Sequence, residues 1–298
     1  MEAWITLSIA AAAFQTLRFM LQKHLSMATL SAGGATSARF IYSVPFVVTL
    51  ALCYLGWSGA ARPELSGLFW AYALCGGLAQ ILATWCVVAL FAQRNFAVGI
   101  TFKKTEVIQT ALVGLIVLGD WITIGGLAAI VLGLIGVLIL SDNRIAGQGA
   151  RLLNKAAGLG LASGAFFAVS AVGYRGATLE IASDDAFLRA CVTLAVVTTS
   201  QAIGMVAWLH WREPGEISRV IAARRTAVWM GITGMAGSLC WFTAFTLQNA
   251  AYVFAVGQIE VIFSLMASVL FFREKVAARE VLGIGLLSLS ILALVLLV

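Results

Sequence analysis

Two glutamates lie inside apolar stretches of the sequence, where a charged side chain is expensive. Glu106 is preceded by Lys103 and Lys104, whereas Glu260 is preceded by Gln258. A carboxylate at the centre of a membrane helix costs roughly 2.5–3.5 kcal/mol on insertion scales. Because such groups face cavities and mark ion or substrate pathways, Glu106 and Glu260 are predicted to bind a substrate or to carry protons.

The two glutamates occupy equivalent positions of an internal repeat. Shifting the sequence by 154 residues without a gap places Glu106-Val107-Ile108 on Glu260-Val261-Ile262. The match covers about residues 73–140 and 227–294. It also aligns the pairs Asn95/Asn249, Phe91/Phe245, Cys86/Cys240 and Asp120/Glu274. The coincidence of rare polar residues inside apolar segments indicates a duplication.

The composition predicts an all-α membrane protein. Of 298 residues, 61% are hydrophobic and 11% are charged, against about 25% charged in a soluble domain. The apolar runs approach the length of about 20 residues that spans a bilayer as a helix, and they lack the short alternation of a β-barrel. We predict ten transmembrane helices, at residues 4–22, 34–55, 67–91, 97–118, 122–141, 157–178, 188–209, 227–247, 252–272 and 279–297.

The repeat divides these helices into two halves. Residues 1–141 are predicted to form a first five-helix repeat, 142–156 a connecting loop, and 157–298 a second five-helix repeat. Because five is odd, equivalent helices cross the membrane in opposite directions, which is the inverted-repeat architecture of many secondary transporters. An axis in the membrane plane would bring Glu106 and Glu260 together at mid-depth.

Small and hydroxylated residues follow each glutamate along one helical face. Glu106 is followed by Thr110 and Gly114, and the matching positions after Glu260 are Ser264 and Ser268. Such residues allow helices to approach closely and to form hydrogen bonds across the gap. Both stripes are predicted to face a central cavity.

The lysines distinguish the two halves. Lys103 and Lys104 lie on opposite sides of one predicted helix, so at least one faces the cavity, where it meets a substrate carboxylate or phosphate. The repeat places Gly257 and Gln258 at the matching positions, so Glu260 lacks a neighbouring lysine. Glu260 is therefore predicted to be the better proton carrier, and Glu106 to have a charge-paired role in substrate binding.

Other polar and aromatic side chains complete the predicted substrate site. The candidates, beside the residues already named, are Gln15, Gln258, Trp85, Trp241 and Tyr252. Arg18, near a predicted helix end, is expected to extend toward the basic-side membrane interface. Arg39 and Arg189, at the starts of spans two and seven, are expected to extend toward the outer interface, with a role as gate residues as the alternative.

Several functional classes are excluded or disfavoured. The net charge of +6 fits cytoplasmic loops that retain Lys and Arg, so no nucleic-acid partner is expected. The five cysteines and two histidines lack metal-ligand spacing, so neither a metal nor a disulfide framework is expected. The sequence contains no phosphate-binding loop and no hydrolase or protease signature. Neither enzymatic activity nor a cofactor is predicted.

The distribution of basic residues predicts the orientation. Lys23, Arg212, Arg224 and other basic residues fall on one side, whereas the loop between the sixth and seventh spans holds Asp184 and Asp185. The basic side is predicted to be cytoplasmic, which places both termini outside.

The chain resembles the drug/metabolite transporter superfamily, and its EamA-type branch in particular. The resemblance covers essentially the whole chain and is carried by residues 110–140 and 264–297, where the fourth and ninth spans end in Asp120 and Glu274. Members often have Pro-Val where this chain has Glu106-Val107 and Glu260-Val261. The lysines in span four are a further resemblance, in this case to the nucleotide-sugar branch, in which a basic residue at this place meets an anionic ligand. Members commonly place both termini in the cytoplasm, in conflict with the orientation above.

The predicted function is secondary active transport by alternating access in the bacterial inner membrane. The expected substrate is a small polar metabolite such as an amino acid, exported in exchange for protons, with membrane lipids and a possible second copy of the chain as partners. One alternative is uptake of an anionic or phosphorylated metabolite on Lys103 and Lys104. Another is a membrane interaction or lipid-handling protein in which the buried charges only fix helix packing.

Overall fold

All regular elements that can be described are helices. A computed structural model describes residues 2–60, 62–91, 102–141, 155–263, 266 and 278–297, and within these ranges it contains no strand. The helices longer than one turn are α1 (Ala3–Ala28), α2 (Ala32–Ser58), α3 (Gly67–Phe91), α4 (Glu106–Leu118), α5 (Ile124–Ser141), α6 (Lys155–Leu179), α7 (Ala186–Arg212), α8 (Glu216–Ala222), α9 (Arg224–Leu247), α10 (Ala250–Gly257) and α11 (Ala278–Leu297).

The long helices have the length and composition of membrane spans. Among the described helices, α1, α2, α3, α6, α7 and α9 are each long and apolar enough to cross a bilayer. Helices α4 and α5 are shorter and apolar. Large apolar side chains such as Trp57, Trp121 and Ile124 are more than 80% exposed. An exposed apolar surface of this kind belongs in lipid, and the protein is a multi-pass membrane protein.

The predicted fourth and ninth helices are interrupted. The helical residues 102–103 are followed by a turn at Lys104-Thr105, and α4 begins at Glu106. Likewise α10 is followed by a turn at Gln258-Ile259, and helix resumes over residues 260–263. The prediction of continuous helices over 97–118 and 252–272 is therefore wrong at these two turns. The remaining parts of these spans, 97–101 and 264–272 except Met266, lie outside the described residues.

The closest helix pairs join the two halves of the sequence. The most extensive contacts are those of α3 with α6, α1 with α9, and α5 with α11. At the α3–α6 crossing a Cβ on Gly173 would lie 3.0 Å from the Cα of Gly76, so the two backbones approach as closely as small residues permit. The predicted connecting loop, 142–156, lies outside the described residues except for its last two, which begin α6.

Hydrogen bonds tie the helix ends together on two opposite faces. On one face the Tyr54 hydroxyl donates to the Asp185 carboxylate at 2.6 Å, linking the end of α2 to the start of α7. On the other face the Ser31 backbone N–H donates to Glu216 at 2.6 Å, linking the start of α2 to α8. The long helices thus end on alternate faces, with Asp185 on one and Arg212 on the other, as the charge pattern predicts.

Candidate functional site

The two glutamates begin helical segments at equivalent points of the repeat. Glu106 is the first residue of α4, and Glu260 is the first residue of the helical segment 260–263. The turns before them, 104–105 and 258–259, are separated by the same 154 residues that align the two halves of the sequence. A carboxylate in the first turn of a helix is stabilised by the helix dipole, which offsets part of the cost of burial.

Each glutamate forms an ion pair with a lysine. Within the first half, the Lys103 ammonium lies 2.9 Å from the Glu106 carboxylate. Between the halves, the Lys104 ammonium pairs with the Glu260 carboxylate. Lys103, Lys104 and Glu106 are each at most 5% exposed.

This arrangement corrects the assignment of charge made from the sequence. Glu260 lacks a lysine neighbour along the chain, but folding brings Lys104 of the opposite half against it. The inference that Glu260 is less neutralised than Glu106 is therefore wrong. The physical reason is that the two helix breaks face each other, so a side chain of one turn reaches the glutamate of the other.

A polar chain from α1 and α9 completes the surroundings of Glu260. The Gln15 amide donates to Glu260 Oε2 at 2.7 Å, and the Trp241 indole N–H donates to the Gln15 carbonyl oxygen at 3.3 Å. Gly257 allows the Trp241 ring to approach α10, because a Cβ at that glycine would lie 2.3 Å from the ring. Gln15 and Trp241, both predicted from the sequence, thus lie beside Glu260.

Both glutamates line one small cavity, which we call the glutamate cavity. Its polar lining consists of Gln15, Lys103, Glu106 and Glu260. Its volume is about 10 Å³, which is close to the space needed for one water molecule. The structure thus shows a nearly closed site.

A second cavity, the arginine cavity, adjoins the first and shares Gln15 and Trp241 in its lining. It has a volume of about 30 Å³ and contains Arg18 and Arg39 in its wall. Arg18 is 3% exposed and Arg39 is 5% exposed, so the expectation that they extend to a membrane interface is wrong. Arg39 is drawn inward because α3 and α9 supply hydrogen-bond partners that lipid lacks, whereas Arg18 is held within the core by Gln22 of its own helix α1.

The arginines bind neutral partners. Arg18 Nη1 donates to Gln22 Oε1 at 3.0 Å, and the Arg18 guanidinium lies 4.2 Å from the centre of the Phe19 ring. Arg39 Nη2 donates to Ser238 Oγ at 3.0 Å, and Arg39 Nη1 lies 3.5 Å from Thr84 Oγ1. Within the described part of the chain, neither arginine forms a salt bridge.

Three predicted site residues lie in other surroundings. The Tyr252 hydroxyl accepts a hydrogen bond from the Thr123 backbone N–H at 3.1 Å, where it holds α10 against the start of α5. Trp85 packs edge-on against Trp208, with ring centres 4.5 Å apart. Gln258 is 4% exposed and lines a third small cavity beside Lys104.

An arginine that the sequence did not single out fixes the ends of several helices. Arg175 Nε lies 2.7 Å from Asp120 Oδ2. Its Nη1 donates to the backbone carbonyls of Phe245 and Gln248 at 2.7 and 2.9 Å. The signal for this role in the sequence was a single arginine near the end of a long apolar run. Asp120, aligned by the repeat with Glu274, thus has a structural partner, whereas Glu274 lies outside the described residues.

A buried network beside the arginine cavity was also missed. The Gln201 side-chain nitrogen lies 3.0 Å from Gln80 Oε1, 3.2 Å from the Tyr174 hydroxyl and 2.9 Å from the Gly77 carbonyl, so its two N–H groups are shared among three acceptors. These groups lie on α3, α6 and α7. Single glutamines in apolar runs do not reveal from sequence which helices they will join.

A crystal structure of another protein is among the solved structures that share the fold. It is described only as the crystal structure of a protein, and it superposes with a TM-score of 0.70 over 99% of this chain and 96% of that chain. The two sequences are 14% identical, so this likeness concerns the fold alone. No curated protein matches the chain in sequence.

The second half of the chain carries a family signature. Residues 154–296 match the EamA-like transporter family. This stretch contains α6 to α11 and Glu260, and it confirms the resemblance that the sequence suggested. Together with the apolar helices, the match supports a transporter that spans the membrane several times. The second half of the chain is thus similar to the EamA-like transporter family, in agreement with the resemblance to the drug/metabolite transporter superfamily that its sequence suggested.

Proposed function

We propose that the protein is a secondary active transporter that moves a small polar metabolite by alternating access. The observation that carries this proposal is the Lys104–Glu260 ion pair, which joins the helix breaks of opposite halves at the edge of a nearly closed cavity. In transporters with inverted repeats, discontinuous helices form the substrate and ion sites. Rocking of one half against the other would open this pair and enlarge the cavity.

The proposed architecture is ten spans in two inverted repeats. It is supported by the breaks at 104–105 and 258–259, which coincide in the register of the sequence repeat. It is also supported by the pairing of α3 with α6 and of α1 with α9 across the halves. Residues 1–141 and 157–298 are the proposed repeat units.

Protons are the proposed coupling ion, and Glu260 is the proposed carrier. With Lys104 and Gln15 beside it, the Glu260 carboxylate is stabilised in its charged form. When the two halves separate, Lys104 leaves, and a charged carboxylate that has lost its lysine in apolar surroundings becomes more costly. Uptake of a proton removes that cost, so the opening of the pair and protonation of Glu260 are coupled.

The proposed direction is export, and the proposed location is a bacterial inner membrane with the basic face toward the cytoplasm. The family resemblance supports export, and the charge distribution supports the orientation. An amino acid is the proposed substrate type, because its ammonium can bind a glutamate of the site and its carboxylate can bind a cation of the site.

The test begins with ligand discovery. Purified protein is screened for a rise in melting temperature with amino acids and related metabolites, because a bound ligand stabilises the native state. A stabilising solute is then followed in counterflow across proteoliposomes at several values of pH. We expect exchange by the wild type to depend clearly on pH and exchange by Glu260→Gln not to depend on it. Glu180→Gln, a control just after the end of α6, should behave as the wild type.

Two outcomes would contradict the proposal. If no solute stabilises the protein and none exchanges, the buried charges serve packing, as in a membrane interaction or lipid-handling protein. If Glu260→Gln exchanges substrate with the full pH dependence of the wild type, proton coupling through Glu260 is wrong.

A further inference from the structure

The arginine cavity has an uncompensated positive charge. Lys103 and Lys104 are matched by Glu106 and Glu260, one carboxylate for each ammonium. Arg18 and Arg39, the other two cations, have only neutral hydrogen-bond partners in the described part of the chain. Among its described residues, the joined site therefore has two positive charges more than it has carboxylates.

The two arginines lie side by side. Both side chains pack against Gly234 of α9, since a Cβ on that glycine would lie 3.3 Å from Arg18 Cδ and 3.4 Å from Arg39 Cγ. Their charges repel each other, and Glu260 attracts Arg18 in part. Two buried like charges within the membrane interior carry a large cost unless an anion joins them.

The cavity provides both an apolar wall and polar groups for such an anion. Aromatic rings of Phe167, Trp241 and Phe245 line it, and so do Gln80 and Ser238. A guanidinium offers a planar pair of N–H donors that matches the two oxygens of a carboxylate or the edge of a phosphate. The glutamate cavity, in contrast, has no unmatched cation in its described lining.

We propose that Arg18 and Arg39 form the oxyanion subsite of the substrate pathway, which takes the carboxylate or phosphate of a soluble organic anion. The inference rests on the proposed transport function and narrows its substrate to anions and to molecules with a carboxylate head. The anion-binding groups are then the two arginines and not Lys103 and Lys104, because each lysine is already paired with a glutamate.

The experiment compares anions with neutral molecules of the same shape. Purified wild-type protein in detergent is titrated with acetate and benzoate, and with acetamide and benzamide, while the melting temperature is recorded. We expect acetate and benzoate to stabilise the protein and the amides to have no effect. Equal effects of the acids and the amides would overturn the proposal, and so would an absence of any effect at millimolar concentration.

Variants assign the effect to the arginines. Arg39→Gln and Arg18→Gln should weaken benzoate binding roughly tenfold to a hundredfold, the equivalent of losing a charge-assisted hydrogen bond. Arg39→Lys should retain part of the affinity. Arg212→Gln removes an exposed arginine beside Trp211 and should bind as wild type. Unchanged benzoate affinity in both glutamine variants would overturn the assignment to the arginines. If neither variant folds, the comparison of acids with amides in the wild type decides whether the protein binds anions.

Two further measurements separate the possible sources of failure. If stabilisation appears only in nanodiscs that contain phosphatidylglycerol, the anion is a lipid headgroup and the soluble-substrate proposal is wrong. If benzoate binds through the arginines but neither it nor any stabilising solute crosses proteoliposomes, the subsite stands and the transport function fails. If counterflow of a neutral solute proceeds without arginine dependence, transport stands and the subsite fails.

Discussion

At the scale of single residues, the described part of the protein holds four buried cations, the buried Glu106 and the partly buried Glu260 around its cavities. Replacing a buried ion pair by apolar groups is often nearly neutral, whereas removing one partner leaves an isolated charge and destabilises strongly. Of the two lysine–glutamate pairs at these cavities, Lys104–Glu260 joins opposite halves, so its removal is the more informative substitution.

We predict that Lys104→Met lowers the free energy of unfolding by about 3–5 kcal/mol, because Glu260 is left without its counter-ion. The double variant Lys104→Met/Glu260→Gln should recover most of this loss. Denaturant unfolding in detergent measures both. Lys155→Met, at the exposed start of α6, is the matched control, and a double variant no more stable than Lys104→Met would show that the pair does not act as a unit.

At the scale of helices, glycines set how closely α3 and α6 pack. A methyl group added at Gly173 would lie 3.0 Å from the α3 backbone. Neither helix can make room for it without moving. In α7, by contrast, a Cβ on Gly204 would have no heavy atom within 4 Å. The same substitution therefore has opposite consequences at the two positions.

Gly173→Ala should destabilise the protein, whereas Gly204→Ala should stabilise it by about 0.5–1 kcal/mol, the usual gain of alanine over glycine inside a helix. Thermal unfolding of the two variants beside the wild type provides the comparison. A stabilised Gly173→Ala protein would mean that the α3–α6 crossing is looser than the structure shows.

The start of α7 adds a prediction of pH dependence. The hydrogen bond from Tyr54 and the backbone N–H groups of Leu188 and Phe187 lower the pKa of Asp185, which lies before the membrane span, below its ordinary value. A carboxyl group with a lowered folded-state pKa stabilises the fold above its ordinary pKa of about 4. This contribution is lost as pH falls through the folded-state pKa.

Melting temperatures measured from about pH 6 to pH 3 should therefore fall less steeply for Asp185→Asn than for the wild type. Asparagine keeps the capping geometry while removing the charge. The neighbouring Asp184→Asn, at an exposed position, should follow the wild type. Parallel curves for Asp185→Asn and wild type would argue against a charged cap.

At the scale of the whole molecule, Arg175 links the two halves. It belongs to the second half, and it binds Asp120 of the first. Arg189, near the same face, serves as the control arginine. Its Nε donates to the Thr178 backbone carbonyl, within the second half, at 2.7 Å. A double-mutant cycle distinguishes a contact between halves from a contact within one.

Arg175→Gln and Asp120→Asn should show a coupling energy of about 0.5–3 kcal/mol in thermal or denaturant unfolding. Arg189→Gln combined with Asp120→Asn should be additive within about 0.5 kcal/mol. Additivity of the Arg175–Asp120 pair would show that this contact does not hold the halves together.

The orientation of the whole molecule is testable by labelling. In a background without the native cysteines, Asp184→Cys should react with a membrane-impermeant maleimide in intact cells, because the acidic face is predicted to be outside. Arg212→Cys should react only after permeabilisation. The reverse pattern would favour the orientation common in the family, with both termini in the cytoplasm.

The sequence predicted a large part of the fold because its signals are local. Long apolar runs predicted the six long spans, with most ends within a few residues of those observed. The helix breaks escaped prediction, because residues 104–105 and 258–259 contain neither proline nor glycine. A break held by tertiary contacts leaves little local trace.

The sequence by itself determined a membrane protein with an internal repeat and placed Glu106 and Glu260 at equivalent positions, since insertion cost and periodicity depend on the chain alone. Only the tertiary structure decided which charges meet. Lys104 binds Glu260 instead of Glu106, and Arg18 and Arg39 point into the core instead of toward an interface. Pairing between distant segments depends on how helices cross, and hydrophobicity, which drives the helices into the membrane, does not specify those crossings.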